Sequence, residues 1–328
     1  MVSRVRVLLC TAALSAFVLS YLLYVSPAAK AAYSCSGKDV YPTQNLTIVA
    51  QNSPRGTTFC IHDGTYNISD PVRVDDNDRF IGLYNDSTRP AVVTTRAQNV
   101  FEASGSNGAL IKGLKISGAV GGNYCEPECG RGIRGGEKLT VNDVWLTGNK
   151  NAGIGGGGPG LLVQNSIIDH NGSSSFTRLD GGPSTAAGIK NMGSMTVLNS
   201  RITDNYWNGV WCDGGCGAFT VKNSVIARNG KAGIHNEVSD GPSIFAGNTI
   251  KGNGILGSAD LRPAGLLIVE STNVEAYGNT FGGNVLYGVH IAKGTRHALS
   301  GVKFHDNTMN GDLKKGCDLT GVSCFGNK

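Results

Sequence analysis

One recurring motif leaves this chain few ways to fold. An apolar residue is followed three positions later by Asn, and then by Gly with an aliphatic residue after it. It reads Leu146…Asn149…Gly153-Ile154, Ile168…Asn171…Gly188-Ile189 and Ile202…Asn205…Gly209-Val210. It continues as Ile226…Asn229…Gly233-Ile234, Ile250…Asn253…Gly265-Leu266 and Phe281…Asn284…Gly288-Val289. With insertions set aside the period is about 21–24 residues, the mark of a solenoid. A single unit has too little apolar surface to bury alone, so units must stack on their neighbours.

Composition agrees. The 328 residues include 48 Gly, roughly twice the usual share, and only 16% are charged. Short β-branched runs are separated by Gly, Asn, Ser and Thr, which suits short strands joined by tight turns. No amphipathic helix of convincing length is legible. One continuous all-β domain is expected from residue 32 to 328. Residues 32–100 form an N-terminal cap and first rungs, 101–312 the regular rungs, and 313–328 a C-terminal cap. Caps cover the strand edges that a stack would otherwise leave open. The net charge of +5 is mild, with no Lys/Arg run and no aromatic-plus-basic stripe, which argues against a nucleic-acid partner.

Arg4 and Arg6 precede an uncharged stretch from Val7 to Val25, and Ala29-Lys30-Ala31 has the small-x-small form of a cleavage site. Residues 1–31 are read as a signal peptide, with an uncleaved membrane anchor as the alternative. Either way the rest of the chain lies outside the cytoplasm, secreted or held at the membrane. Of nine cysteines Cys10 falls in this leader, which leaves an even number for disulfides. The most local pairing joins Cys125 to Cys129, Cys212 to Cys216 and Cys317 to Cys324, leaving Cys35 with Cys60. A zinc site at the four central cysteines competes with it. Asn45, Asn67, Asn85 and Asn171 begin Asn-x-Ser/Thr sequons, which arise by chance in an Asn-rich chain.

Within a rung, the residue after Gly points inward and the next outward. The inward column is Ile133, Ile154, Ile189, Val210, Ile234, Leu266 and Val289. The column Asn149, Asn171, Asn205, Asn229, Asn253 and Asn284 is read as a turn ladder whose amides bond from rung to rung.

The unit Asn223-Ser224-Val225-Ile226-Ala227-Arg228-Asn229-Gly230-Lys231-Ala232-Gly233-Ile234 resembles the repeat of right-handed parallel β-helix proteins of the pectate-lyase-like class. Gly64-Thr65-Tyr66, after a short strand, resembles the entry turn of that class. The resemblance covers roughly residues 40–312 and implies the fold and its handedness. It is weak for activity, because the class holds polysaccharide lyases, glycoside hydrolases, sugar epimerases, phage tailspikes and adhesins. No paired-Asp polygalacturonase-like motif and no Asp-Pro-His pattern of alginate epimerases is present.

Two rungs carry insertions between the Asn corner and the Gly strand. Gly172–Ala187 contains Phe176, Arg178 and Asp180, and Gly254–Ala264 contains Asp260 and Arg262. Recurring insertions at one corner often mark the binding side of a solenoid. They would wall a groove whose floor is Lys190, Trp211, Asp213, His235 and Glu237, the outward positions between them. Register neighbours sit about 4.8 Å apart, so Asp213 and Glu237 become adjacent carboxylates, one expected with a raised pKa. In a hydrolase they are acid and base or nucleophile. In a lyase Lys190 or His235 is the base, and the carboxylates orient the sugar or bind Ca2+. Trp211 and Trp207, beside Tyr206, could stack on sugar rings, and Arg178, Asp180 and Arg134 are further candidate substrate contacts. The expected partner is a polysaccharide, neutral or acidic, bound by a monomer. The alternatives are a non-catalytic, adhesin-like binder and a purely structural surface protein, since polar residues belong on outward positions in any case. Asp39, Asp75, Asp76, Asp78 and Asp86 form an early acidic segment that could hold calcium by its carboxylate oxygens but is read instead as a solvated loop.

Overall fold

The computed structural model describes residues 34–84, 88–121, 129–174, 186–257 and 263–328. The leader, Cys125, Asp86 and the loop residues Phe176, Arg178, Asp180, Asp260 and Arg262 lie outside them. The described chain coils through three parallel sheets. Sheet 1 has twelve strands, from Lys38–Val40 to Val322–Phe325. Sheet 2 has nine, from Thr65–Ile68 to Thr280–Gly282, and sheet 3 has ten, from Val72–Arg73 to Lys314–Lys315. One coil passes through Phe219–Lys222, Val225–Ala227 and Ala232–Glu237 before climbing to the next.

The expected inward column is in register throughout sheet 3: Ile133 pairs with Ile154, then Ile189, Val210, Ile234, Leu266 and Val289. All seven are fully buried, and burying such a side chain contributes about 1.5–3 kcal/mol. Aromatic rings extend the core along the axis, as where Phe59 stacks on Phe80 at 4.6 Å and Phe219 meets Phe245 edge-on at 5.0 Å.

The Asn column is a ladder. The side-chain amide of Asn149 donates to Asn171 at 2.9 Å, Asn171 to Asn205 at 3.1 Å and Asn205 to Asn229 at 3.0 Å. Asn229 donates to Asn253 and Asn253 to Asn284, both at 2.9 Å, and the row ends on Asp312. The conserved spacing to Gly within the repeat now has a cause. A Cβ on Gly209 would lie 2.5 Å from the Gly233 carbonyl and 2.8 Å from the Asn229 amide nitrogen, and Gly188, Gly233 and Gly265 are equally tight. Gly is required there by close approach of the next rung, not by its backbone angles. A second ladder, absent from the sequence reading, runs along the corner between sheets 1 and 2. There Ser166, Ser200, Ser224, Asn248, Asn279, Asn307 and Asn327 each accept an N–H from the rung before. Both ladders satisfy buried corner amides that no sheet reaches.

The ends are closed differently. A short helix, Leu46–Gln51, lies over the first coil with Leu46, Thr47 and Ala50 buried, and Asn45 caps it by accepting the Ile48 N–H. At the other end, residues 311–328 add one strand each to sheets 3 and 1. Cys35–Cys60, Cys212–Cys216 and Cys317–Cys324 are disulfides as expected, and Cys129 is disulfide-bonded too. The sequon residue Asn171 is fully buried in its ladder, which closes it to a glycan in the folded state. In the acidic segment Asp78 accepts the Thr57 and Asp75 N–H groups, while Asp75, Asp76 and Asp39 pair with Arg73, Arg55 and His62. Among the described residues no group of three or more His, Cys, Asp or Glu is placed to hold a metal, and no helix is long and apolar enough to cross a membrane.

Candidate functional site

Five of the site candidates stand on three consecutive strands of sheet 3, Ala187–Asn191, Asn208–Asp213 and Ala232–Glu237. Lys190 pairs in register with Trp211 and Trp211 with His235, while Asp213 pairs with Glu237. The two outward columns are therefore as the repeat predicts, and five of the candidates are brought together.

Their side chains interlock. The Lys190 ammonium lies 4.2 Å from the Trp211 ring centroid and 2.8 Å from Asp213 Oδ2. His235 stacks on the indole at 5.4 Å, with an interplanar angle of 11°. Trp211 stands between them, and its Nε1–H donates to Glu237 Oε2 at 3.2 Å. His235 Nε2 lies 3.6 Å from the same oxygen. The Trp211 residue is 7% exposed and the His235 side chain 3%, whereas the Asp213 and Glu237 side chains are 31% and 20% exposed. The column of Lys, Trp and His is thus a support, and the two carboxylates form the open lip above it. They do not face each other bare, because each has its own cation.

Trp207, 8% exposed, packs with Ala186 and Trp211, with Lys231 near both indoles at 5.5 and 5.8 Å. Arg134 stands apart. It shares the Lys190 column, but Gly155 intervenes, and it pairs with Glu102 at 3.5 Å. The loop candidates Arg178 and Asp180 lie outside the described residues, as do Asp260 and Arg262.

The cation facing Glu237 was not foreseen. Arg296, from the segment after Tyr287–Ala292, donates from Nη2 to Glu237 Oε1 at 3.0 Å and from Nε to Glu270 Oε2 at 3.2 Å. Glu270 is almost fully buried and also accepts the Arg296 and His297 backbone N–H groups. His297 in turn pairs with Asp240 at 2.8 Å. A Cβ on Gly294 would fall 2.2 Å from Glu270 Oε1, so Gly there lets the segment close on this carboxylate without displacing it. The sequence signal was a long gap between the Ala292 and Val302 strands, at the corner opposite the two insertions. Arg296 sits in no repeat column, so periodicity could not find it.

The backbone N–H of Arg296, followed by the other donors around it, holds the Glu270 carboxyl below the usual glutamate range despite its burial. A depressed folded-state pKa gives stability that is present above the unfolded glutamate pKa and is lost as pH falls through the folded value. The melting temperature of Glu270→Gln should therefore lie below that of the unaltered protein at neutral pH, and the gap should close on acidification. A gap that persists unchanged into acid would contradict the assignment.

The family described as right handed beta helix region matches residues 99–281. No curated protein matches the chain in sequence. Among solved structures, the A-module of mannuronan C-5 epimerase AlgE6 from Azotobacter vinelandii is similar at 14% identity and a TM-score of 0.51, over 90% of this chain and 98% of that one. The enzymatically active domain of tailspike protein 2 from bacteriophage CBA120 aligns at 12% identity and a TM-score of 0.56, over 89% of this chain and 46% of that one. The surface protein and adhesin PfbA of Streptococcus pneumoniae aligns at 12% identity and a TM-score of 0.50, over 89% of this chain and 87% of that one. These likenesses are of fold.

Proposed function

The chain belongs to the right-handed β-helix family, and on that premise we propose that it is an exported protein that binds a polysaccharide along sheet 3 and hydrolyses it over Asp213 and Glu237. The observation that carries this reading is the pairing of those two carboxylates, in register and partly open, above a buried support. The fold is one on which proteins named as a mannuronan epimerase and a tailspike enzymatic domain are also built.

Elimination is the weaker chemistry here. It needs a base that can reach a sugar, yet of the two candidates Lys190 is bound to Asp213 and His235 is almost fully covered. The carboxylates are better placed. Glu237, tied by the Trp211 N–H and by Arg296, is the group that meets the anomeric carbon. Asp213 is held by one flexible cation, Lys190. A uronate carboxylate arriving on the sugar would compete for Lys190 and free Asp213 to deliver a proton to the leaving oxygen. Neighbouring rungs about 4.8 Å apart suit the short carboxylate separation of retaining enzymes, about 5–5.5 Å. Trp211, with Lys190 and His235 against its ring, acts by positioning Glu237.

The ion pairs and the covered indole also suit a second reading, a glycan-binding surface without turnover. A panel of neutral and acidic polysaccharides separates the readings. Reducing ends should appear without the ultraviolet absorbance of unsaturated uronates. Rising absorbance would replace hydrolysis by elimination, and binding with no new reducing ends would replace it by the second reading.

A further inference from the structure

The outer face of sheet 2 carries a different arrangement. Arg201, Val225, Thr249 and Thr280 follow one another in register, and Thr203, Ala227 and Lys251 form the parallel column. A cleft of about 350 Å³ lies over them, lined by Arg201, Thr203, Val225, Arg228, Thr249 and Lys251. No carboxylate lines it. Asp204 is taken by Arg228 through two contacts of 2.6 Å each, and Asp169, the register neighbour of Thr203, accepts the Trp145 Nε1–H at 3.0 Å. Arg201 and Lys251 are both exposed, and among the described residues neither has an ion-pair partner. Val225, an apolar side chain left 39% exposed, forms the floor between them.

We infer that this cleft is a second, non-catalytic binding site for an anionic polysaccharide. Two features select that class. Arg201 and Lys251 are two rungs apart, about 10 Å along the axis, a spacing suited to charges repeated along a chain. The floor is a short aliphatic side chain flanked by Thr249, which accepts the apolar face and hydroxyls of a sugar. It offers no aromatic ring on which a nucleic-acid base could stack. The site lies on another sheet from Asp213 and Glu237, so it would hold the polymer while the sheet 3 strip acts on it, and it does not depend on that action.

The test reads binding, not turnover. Affinity electrophoresis of the purified protein through gels containing polygalacturonate, dextran sulfate or plain dextran, with duplex DNA in a parallel shift assay, covers the alternatives. Retardation by the two acidic polymers, relieved by salt, is expected, with none by dextran. Arg201→Glu with Lys251→Glu should weaken it by about tenfold, while Arg201→Lys with Lys251→Arg should keep it. Lys303→Glu, at an exposed lysine of sheet 1 outside both sites, should leave it unchanged, which separates this cleft from a general effect of net charge. Equal retardation of the double-Glu variant, no retardation of the unaltered protein, or DNA bound as tightly as the acidic glycans would each overturn the inference.

Discussion

Asn229→Ala is expected to destabilise the protein by roughly 4 kcal/mol or more, from four side-chain hydrogen bonds at about 1 kcal/mol each plus buried groups left unpaired. The Asn229 carbonyl accepts the Asn205 backbone N–H and side-chain amide, and its own amide donates to the Ile202 carbonyl and to Asn253. All of this is buried, so these groups do not exchange their partners freely for bulk water. The loss is a large part of the 5–15 kcal/mol that typically separates folded from unfolded domains. Because each rung touches only its neighbours, a break in the middle should also split the transition, the two halves melting separately. Urea unfolding followed by circular dichroism measures both effects. Ile255→Ala, at a side chain 61% exposed, is the control and should move stability by no more than about 0.5 kcal/mol. Equal midpoints for the two variants would show that the ladder is ornamental to stability.

Asp213→Asn and Glu237→Gln should each lower turnover by at least about a hundredfold while leaving the fold intact. Glutamine at position 237 can still accept the Trp211 N–H, and Arg296 keeps its contacts with Glu270, so the local structure survives the loss of charge. What disappears is the charge that meets the anomeric carbon. At position 213, asparagine keeps the volume and loses the transferable proton. Trp211→Phe probes the support: the indole N–H to Glu237 is lost but the ring between Lys190 and His235 remains, so turnover should fall by less than in either carboxylate variant. Full activity in Asp213→Asn or Glu237→Gln would remove that residue from the reaction.

The architecture was legible because the repeat fixes both periodicities at once. The position after Gly set the inward column, and alternation from there placed Lys190, Trp211, Asp213, His235 and Glu237 in their observed register. What alternation does not carry is how side chains choose among neighbours. The expectation of two carboxylates competing for a proton did not anticipate that Lys190 would bridge diagonally to Asp213, or that Arg296 would reach Glu237 from a distant corner. The indole looked like a sugar platform in one dimension, but its neighbours one rung away on each side take its ring. The Ser/Asn corner ladder escaped notice because its residue type changes from Ser to Asn at Asn248, so no single-letter column repeats. The cleft on sheet 2 was hidden for a similar reason: Arg201 and Lys251 occupy different columns on alternate rungs.

The most direct measurement is a crystal structure of Glu237→Gln soaked with an oligosaccharide of the polymer that the panel identifies. A sugar ring should lie over the sheet 3 lip, with its glycosidic oxygen within hydrogen-bond reach of Asp213 and its anomeric carbon facing the side chain at position 237. A glycan ordered only elsewhere, with the Lys190–Asp213 and Arg296 contacts undisturbed, would contradict the assignment of this strip as the place where the polysaccharide is cut.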